Sequence, residues 1–471
     1  MDILLVVVGI IGLVWGAVLF LRGGLLGGCL AVLLAGSCLG SPFFSLPLEP
    51  MPLTVDRLLW AALLVQYAVW RRLGRADPKP LGTPEYLLLA FIGVLLVSTF
   101  SHDWHTHQSQ PLSRLVFYYL MPLGIYWVAR QSVISERGIL ALFGVLAVFG
   151  IYLAVTAIAE THQLWWMVFP KYIASTDNPS FFGRGRGPLL NPSGCGFFQG
   201  VCLCCALAWW PRLDRAGRLA LLAVSLLFCL GVYSTLTRTA WMGAAAGLFV
   251  FVGLSLPRTW RLPVLGGSLL VGTLVVAGNW DRIMTLKRDQ GVSARESAES
   301  VALRPILATV AWHMFLDRPL AGCGFGHYRD EAGNYLADRS TAMPLEKARP
   351  YHQHNVFLAL LTETGLLGMG LFLALLVLWT RDAWRLWHTP SAPFWARQQG
   401  LVFLALMGNY CANAMFQDVS IIPMVNMLLF FAAGLTAGLR PFARPVAKPA
   451  PAPSGRAMTS ASPSLPPQPV T

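Results

Sequence analysis

The chain has 471 residues, of which 55% are hydrophobic and only 12% are charged. A soluble protein of this length would carry about a quarter charged residues, so the composition excludes an ordinary soluble enzyme. The formal net charge of +13 does not indicate a nucleic-acid-binding protein, because the basic residues fall mostly in short loops between apolar runs, where positive-inside placement explains them.

Apolar runs of the length that a helix needs to cross a bilayer recur along most of the chain. The first run follows Met1 and Asp2 without the basic start of a cleaved signal peptide, so we expect a retained span. The pattern predicts an all-α polytopic membrane protein with about 12 to 13 transmembrane helices. They lie at residues 3–21, 24–40, 54–70, 86–101, 113–130, 139–160, 193–210, 217–235, 239–256, 261–278, 355–379, 398–416 and 420–438.

The basic residues of the loops predict which side of the membrane each loop faces. The short loops 41–52 and 417–420 contain no Lys or Arg, whereas the loops on the opposite side are basic. The positive-inside rule therefore places the basic loops in the cytoplasm and, for thirteen spans, the N-terminus outside. The basic loops are residues 71–79, 130–137, 211–218, 257–261, 381–388 and 440–448.

This orientation divides the chain into four parts. Residues 1–278 form an N-terminal transmembrane bundle that includes an outer loop at 161–192, residues 279–353 form a large outer loop, and residues 354–440 form the C-terminal transmembrane helices. Residues 441–471 are rich in Pro, Ala and Ser, which predicts a disordered cytoplasmic tail.

The stretch 303–320 of the large outer loop has apolar residues at helical spacing. This spacing predicts an amphipathic helix on or just under the outer leaflet. The apolar positions are Leu303, Leu307, Val310, Ala311 and Met314.

Four arginines of the outer loops are candidates for binding an anion. Arg184 and Arg186 alternate with glycines, which allow close approach of a ligand to the backbone, and arginine binds phosphate oxygens through two nitrogens. Arg238 lies at the outer start of an apolar span, and Arg304 lies on the amphipathic stretch. The alternatives are a flexible loop that meets lipid headgroups for the first two, a snorkelling side chain for Arg238 and a solvent-exposed one for Arg304.

Two histidines precede the apolar run that begins near residue 355, in the sequence "RPYHQHNVF". The N-terminal end of a helix attracts anions and disfavours the charged form of histidine. His352 or His354 would therefore stay neutral and able to accept a proton beside an arginine-lined anion site, as a general base requires. The alternative is a pair of interfacial polar residues.

A metal site is a weaker interpretation of the same histidines. No Asp, Glu or Cys on the outer side completes a ligand set at the usual spacing, and Glu363, two turns into the next span, is expected to face elsewhere. The histidine-rich loop 101–107 is the remaining source of ligands. The run "GCGFGH" (322–327) lacks the strand and helix of a dinucleotide site, so we interpret it as a turn that positions His327 and Tyr328.

Four blocks of the sequence, in order, resemble the O-antigen ligase superfamily, which includes lipopolysaccharide O-antigen ligases and related polymerases. They are "RGPLLNPSGCG", "STLTRTAW", "LRPILATVAWHMFLDRPLAGCGFGHY" and "HNVFLALLTETGLLG". The last block has His354, Asn355, Gly365 and Gly368 in the family's positions. One departure is Ser193, where the family has a second Asn, and either Arg184 or Arg186 matches the first arginine of the pattern.

The resemblance implies a GT-C-like membrane glycosyltransferase of the bacterial inner membrane, with its site in a large periplasmic loop. It would transfer a glycan from a polyprenyl diphosphate carrier to a hydroxyl of a lipid or glycan acceptor, with inversion and without ATP, cofactor or metal. Such a donor already has a good leaving group, so the reaction needs charge stabilisation and a base. The catalytic residues would be His354, His352 and Asn355, with the diphosphate bound by Arg184, Arg186, Arg238 and Arg304 and the acceptor side supported by Tyr351 and His327.

Other functions remain open at this stage. A polymerase of O-antigen or exopolysaccharide, or a protein O-oligosaccharyltransferase, would use the same chemistry with another acceptor. A polysaccharide transporter or flippase would need charges at mid-membrane and an inverted repeat, and the sequence shows few of the former and no convincing repeat. A lipid-binding protein without catalysis is a further alternative.

Overall fold

The structure is a computed structural model that describes residues 22–47, 52–104, 110–177, 179–281, 294–338, 341–349 and 351–443, with only the backbone for 294–301. The first predicted span, 3–21, and residues 444–471 of the predicted tail lie outside the described residues.

Within these ranges the chain is almost entirely helical. The one sheet of the described part is a hairpin in which Ser45–Leu46 pairs with Leu53–Thr54, antiparallel. The helices in chain order are α1 (Gly24–Cys38), α2 (Val55–Arg72), α3 (Thr83–Phe100), α4 (Pro111–Arg130, with a π-helical turn at Val116–Leu120), α5 (Glu136–Thr161), α6 (Pro192–Leu207), α7 (Arg215–Ser234), α8 (Arg238–Ser255), α9 (Arg258–Gly278), α10 (Ala294–Asp317), α11 (Tyr328–Ala332), α12 (Val356–His388), α13 (Phe394–Ala414) and α14 (Pro423–Gly438).

The helices confirm the predicted all-α polytopic membrane protein. Eight described helices are long and apolar enough to cross a membrane, and α1 and α14 are apolar but shorter. Every predicted span from 24–40 onward corresponds to one helix, with ends that differ by a few residues. α12, with 33 residues, is longer than the predicted 355–379 because it continues past the apolar run into its basic end.

Small residues let the central helices of the bundle approach closely. A Cβ added to Gly243 of α8 would lie 1.7 Å from the side-chain nitrogen of Asn413 on α13. Asn409 of α13 donates to the Phe197 carbonyl of α6 at 3.0 Å. Close packing and interhelical hydrogen bonds are what associate helices in a lipid environment, where burial of apolar surface contributes little.

The basic loops gather at one end of the bundle. Arg130 and Arg440 both contact the carboxylate of Glu85, at 3.1 and 2.9 Å, and Arg440 also contacts Asp382 at 2.5 Å. Elsewhere at this end Arg212 pairs with Glu136. These contacts join the loops that the sequence predicts to be cytoplasmic. Arg130 and Glu85 are buried, and buried charges are tolerated only where they are paired.

The other end of the bundle, which we call the site face, is where α1, α3, α5, α7 and α13 end and where α2, α4, α6, α8, α12 and α14 begin. Tyr172 of loop 161–192 donates to the carbonyls of Cys38 and Pro188, and Gly185 donates to the Ser234 carbonyl at 2.8 Å. Loop 161–192 therefore lies on the site face, and the large loop reaches the same face where Phe325 N donates to Ser98 Oγ at the end of α3, at 2.9 Å.

α10 carries the predicted apolar face. Leu307, Val310, Ala311 and Met314 are at most 1% exposed. They pack with other residues of the large loop, among them Tyr328 and those near Leu345, so the predicted face is buried within the protein and not turned to a leaflet. The opposite side of the helix exposes Trp312 and Leu316.

Candidate active site

His354 stands directly before α12 in a left-handed backbone conformation, with φ of 52°. A non-glycine residue in this region costs about 1–2 kcal/mol, so neighbouring contacts must hold it. Asn355 supplies them: its Oδ1 accepts from Leu358 N at 3.0 Å and caps the helix, and its Nδ2 donates to the Met415 carbonyl at 2.9 Å. Asn355, which the sequence predicts to be catalytic, thus has the contacts of a residue that positions His354.

The surroundings of His354 favour its neutral form. Burial, and after it the positive charge of Arg304, lowers the pKa of His354 below its ordinary value, while Asp418 acts in the opposite direction. A histidine of lowered pKa is neutral at pH 7 and can accept a proton. The electrostatic condition for a general base is therefore met.

One arginine acts electrostatically on this histidine, and a second arginine acts on the first. Arg304 comes from α10 and lies 5.9 Å from the ring centre of Phe416, next to the residue that Asn355 contacts. Arg238 is the first residue of α8 and is close enough to Arg304 for the two charges to repel. Arg304 is thus electrostatically linked both to His354 and to Arg238, and the three residues are far apart in the sequence.

Arg184 and Arg186 occupy a different place. Arg186 is 1% exposed and donates to the carbonyls of Ser180 and Ile173 at 2.7 and 2.8 Å, with its Nε 3.7 Å from a carboxylate oxygen of Glu160. Arg184 lies over the ring of the nearby Phe181, at 5.1 Å. These described contacts are with their own loop and with α5, which is the arrangement expected of residues that stabilise the loop.

Helix α12 is broken close to the site face. Its backbone leaves the helical conformation at Gly365, with φ of 62° and ψ of −161°. Backbone groups of residues 319–324 fill the gap, and Gly324 N donates to the Glu363 carbonyl at 3.0 Å. A Cβ on Gly365 would lie 2.3 Å from the carbonyl carbon of Leu320, so both conformation and space require glycine there.

Glu363, two residues before the break, contacts two other parts of the site face. Its Oε1 accepts from Arg114 Nη1 at 2.9 Å and its Oε2 from Gly326 N at 3.0 Å. These contacts are with residues other than His352 and His354. In the structure its carboxylate joins α4, α12 and the glycine-rich turn.

A model of a known protein family matches the part of the chain that includes Arg238, Arg304 and His354. Residues 200–373 match the family model described as O-antigen ligase. This part of the chain is similar to the O-antigen ligase family. The match confirms the resemblance predicted from the sequence motifs and points to a glycosyltransferase-like enzyme with glycan or lipid-linked substrates. None of the curated proteins matches the chain.

Within the matched residues lie Arg238, Arg304 and His354, whereas Arg184 and Arg186 precede them. Arg114, which contacts Glu363 of α12, lies outside the matched residues.

Two further histidines of the matched residues are neutral. Burial, with the charges of Arg114 and Arg329, lowers the pKa of His352 to about 4. Burial and the neighbouring His102 lower the pKa of His327, whose ring centre lies 5.3 Å from that of His102. The glycine-rich run 322–327 is a turn, as predicted.

Tyr351 is 45% exposed, and its ring centre lies 6.4 Å from that of His354. It is thus an accessible neighbour of the proposed base, in a position compatible with its predicted support of the acceptor.

Among the described residues no group of three or more His, Cys, Asp or Glu side chains is arranged to hold a metal ion. Residues 105–109, which include two histidines of loop 101–107, lie outside that search.

Sequence reasoning missed three charged residues of the site face. Arg114 begins α4 and Arg57 begins α2, so both had the signal that singled out Arg238, an arginine at the outer start of an apolar run. Asp418 had no such signal. It is 1% exposed, accepts from Ser420 N at 3.2 Å and acts electrostatically on His354.

Proposed function

We propose that the protein transfers a glycan from a polyprenyl diphosphate carrier to an acceptor hydroxyl, on the periplasmic side of a bacterial inner membrane. The observation that carries the proposal is that Arg304 acts electrostatically both on His354, whose neutral form it favours, and on Arg238. A base and a pair of cations are what a glycosyl diphosphate donor requires, since its leaving group needs charge stabilisation but no further activation.

His354 would act as the general base. The acceptor hydroxyl loses its proton to the imidazole while its oxygen attacks the anomeric carbon, and the bond from that carbon to the diphosphate oxygen breaks with inversion. A positioned base typically contributes about 10²- to 10⁴-fold to such a step. The left-handed backbone of His354, held by Asn355, supports this role because strained conformations occur at sites that must aim a side chain.

Arg238 and Arg304 would stabilise the departing diphosphate. Two guanidinium groups that repel each other gain most from an anion between them, and arginine binds phosphate oxygens bidentately. They come from α8 and α10, so the donor would bind where the membrane bundle meets the large loop. The gathering of the basic loops at the opposite end supports a periplasmic site.

The test is transfer by the purified full-length protein in lipid nanodiscs, supplied with glycan on undecaprenyl diphosphate and with a candidate acceptor, in the presence of EDTA. We expect His354→Ala to lower kcat by about 10²- to 10⁴-fold. His162→Ala is the matched control, since His162 is exposed at the end of α5 on the same face. A near wild-type rate for His354→Ala would remove the assignment of the base.

The same assay addresses the donor site. Arg304→Gln should raise the donor KM and weaken undecaprenyl diphosphate binding, since a charge-assisted pair of hydrogen bonds is lost. An unchanged donor affinity in both Arg304→Gln and Arg238→Gln would refute the diphosphate role. A ladder of products from carrier-linked glycan alone would identify a polymerase, and a need for a separate acceptor would identify a ligase.

A further inference from the structure

Three apolar side chains of the large loop form an exposed ridge. Trp312 and Leu316 lie one turn apart on α10, and Leu320 lies in the turn that follows the helix. Their exposed fractions are 48%, 56% and 64%. The ring of Phe315 packs beside Trp312, with ring centres 5.1 Å apart. A single exposed leucine is ordinary, but three neighbouring apolar side chains opposite a well-packed helix face indicate a contact surface.

The ridge adjoins the exposed surface of a membrane-spanning helix. Leu366 N of α12 donates to the Pro319 carbonyl at 2.8 Å, and Leu367 N donates to the Leu320 carbonyl at 3.3 Å. The side chains of Leu366 and Leu367 are themselves 52% and 56% exposed. Exposed leucines on a helix that crosses a membrane face lipid chains, which are as apolar as they are. The ridge therefore continues a lipid-facing surface.

The length of α12 places this junction at the depth of the hydrocarbon core. Arg381 is the first charged residue after the break in α12, and the adjacent Asp382 pairs with Arg440 at the end of the bundle opposite the site face. At the helical rise of about 1.5 Å per residue, Leu367 lies about 21 Å from Arg381. The hydrocarbon core of a bilayer is about 30 Å thick. Leu367 and Leu320 thus lie inside it, in the leaflet on the side of the site face.

The irregular backbone after α10 has the hydrogen bonds that this depth requires. Such backbone is tolerated in the hydrocarbon region only where protein groups satisfy its N–H and C=O groups. Cys323 N and Gly324 N donate to the carbonyls of Thr362 and Glu363, each at 3.0 Å, in addition to the two bonds from α12 to residues 319 and 320. The turn after α10 is therefore built to lie beside α12 within the membrane.

The charged side chains next to the ridge are paired within the large loop. Asp317 accepts from the Tyr335 hydroxyl at 2.7 Å, and Arg318 lies 3.5 Å from a carboxylate oxygen of Glu331. A charge close to lipid is costly unless it has a partner or reaches the interface. Both partners belong to α11 or directly follow it, so the ridge itself presents apolar groups. Trp312, at its outer end, is a residue type that gathers where lipid meets water.

We propose that the ridge is embedded among the acyl chains of the leaflet on the side of the site face, so that the end of α10 re-enters the membrane beside α12. The partner of this surface is the lipid bilayer itself. The sequence predicts that α10 lies on the leaflet, but the predicted apolar face is buried in protein, and the opposite side meets lipid. The inference is independent of the proposed glycan transfer, because it concerns only where the large loop lies.

Photocrosslinking in a bilayer of known composition tests the inference. Leu316 or Leu320 is replaced by the photoreactive p-benzoylphenylalanine in the full-length protein, which is irradiated in nanodiscs of phosphatidylcholine alone. Position 366 of α12 is the lipid-facing reference. Asn334, which is exposed on the large loop, provides the water-facing control. Covalent adducts are identified by mass spectrometry.

We expect phosphatidylcholine adducts at positions 316 and 320 with yields close to that at position 366. These yields should be at least about tenfold above the yield at position 334, because the probe reacts only with groups that it contacts. Equal yields at positions 316, 320 and 334 would overturn the inference, since the ridge would then face water. Crosslinks to polypeptide in place of lipid would also overturn it. Loss of the lipid adducts at positions 316 and 320, but not at 366, when undecaprenyl diphosphate is added would assign the ridge to the carrier chain and overturn the bilayer as its partner.

A charge on the ridge gives a second measurement. Leu320→Asp places a short acidic side chain among acyl chains, so we expect Tm in the same nanodiscs to fall by roughly 3–10 °C. Because Leu320 is largely exposed, little packing is lost, and Leu320→Met should leave Tm unchanged. Asn334→Asp is the water-facing control and should also be neutral. A wild-type Tm for Leu320→Asp would contradict the inference.

Discussion

The buried pair of Glu363 and Arg114 makes a quantitative prediction about stability. Only 2% of Glu363 and 12% of Arg114 are exposed, and their contact is 2.9 Å long. Glu363→Gln keeps one oxygen for Gly326 N but turns an amide N–H₂ toward a guanidinium, so buried Arg114 loses its ion-pair partner and keeps only the more distant charge of Asp418. Removing one partner of such a pair typically costs about 3–5 kcal/mol.

A matched exposed pair exists at the other end of the bundle. Arg212 and Glu136 are 2.5 Å apart, but 25% and 51% of their side chains are exposed. Pairs of this kind contribute about 0–1 kcal/mol, because solvent screens both charges. Glu136→Gln is therefore the control, because it removes a carboxylate that is paired but not buried.

The assay is thermal unfolding of the purified protein in one detergent, followed by loss of monodisperse protein. The shift of Tm per kcal/mol of lost stability becomes smaller as a chain becomes longer. For this chain we expect Glu363→Gln to lower Tm by roughly 3–10 °C and Glu136→Gln by less than about 2 °C. The double variant Arg114→Gln with Glu363→Gln should be more stable than Glu363→Gln alone, because no charge is left unpaired. Equal effects of Glu363→Gln and Glu136→Gln, or additive losses in the double variant, would refute the reasoning.

Three further predictions concern the residues around the proposed base. Because the pKa of His354 is lowered, kcat/KM should stay constant as pH falls to about 6.5 and decline only below it. Arg304→Gln should shift this decline to higher pH, because the positive charge that lowers the pKa of His354 is removed. A decline at an unchanged pH would contradict the effect of Arg304 on His354. Gly365→Ala should abolish accumulation of folded protein, as measured by size-exclusion chromatography, while Gly370→Ala, in open space, should be neutral. Asn355→Ala should cost about 0.5–2 kcal/mol by loss of the helix cap and lower kcat. Asn355→Asp should restore only part of the Tm, because it keeps the cap acceptor but lacks the N–H that donates to the Met415 carbonyl. Full activity of Asn355→Ala would exclude a positioning role.

The candidate site was predictable where a residue type is unusual for its place in the sequence. An arginine at the start of an apolar run is costly without a partner, which singled out Arg238, and the paired histidines before α12 singled out His354. The same reasoning applied to Arg57 and Arg114 would have found them. It could not find Asp418, because a carboxylate in a short polar loop is ordinary in sequence and becomes significant only through its burial.

The distinction between Arg186 and Arg304 also needed the structure. Both are arginines in outer loops, yet Arg186 donates to two carbonyls of its own loop, whereas Arg304 reaches the neighbourhood of His354 from α10. Which arginine stabilises a loop and which faces a ligand depends on the contacts of the folded chain, and these contacts join residues that no sequence pattern connects.

The sequence by itself determined the class of the protein, the places of its helices and the side on which its basic loops gather. These follow from the length of apolar runs and the distribution of charge, which act locally and are independent of how the helices pack. Only the tertiary structure decided that α12 breaks at Gly365 and that Glu363 pairs with Arg114. The break exists because a distant segment, 319–324, supplies the hydrogen bonds that the helix gives up, and such an exchange cannot be read from local periodicity.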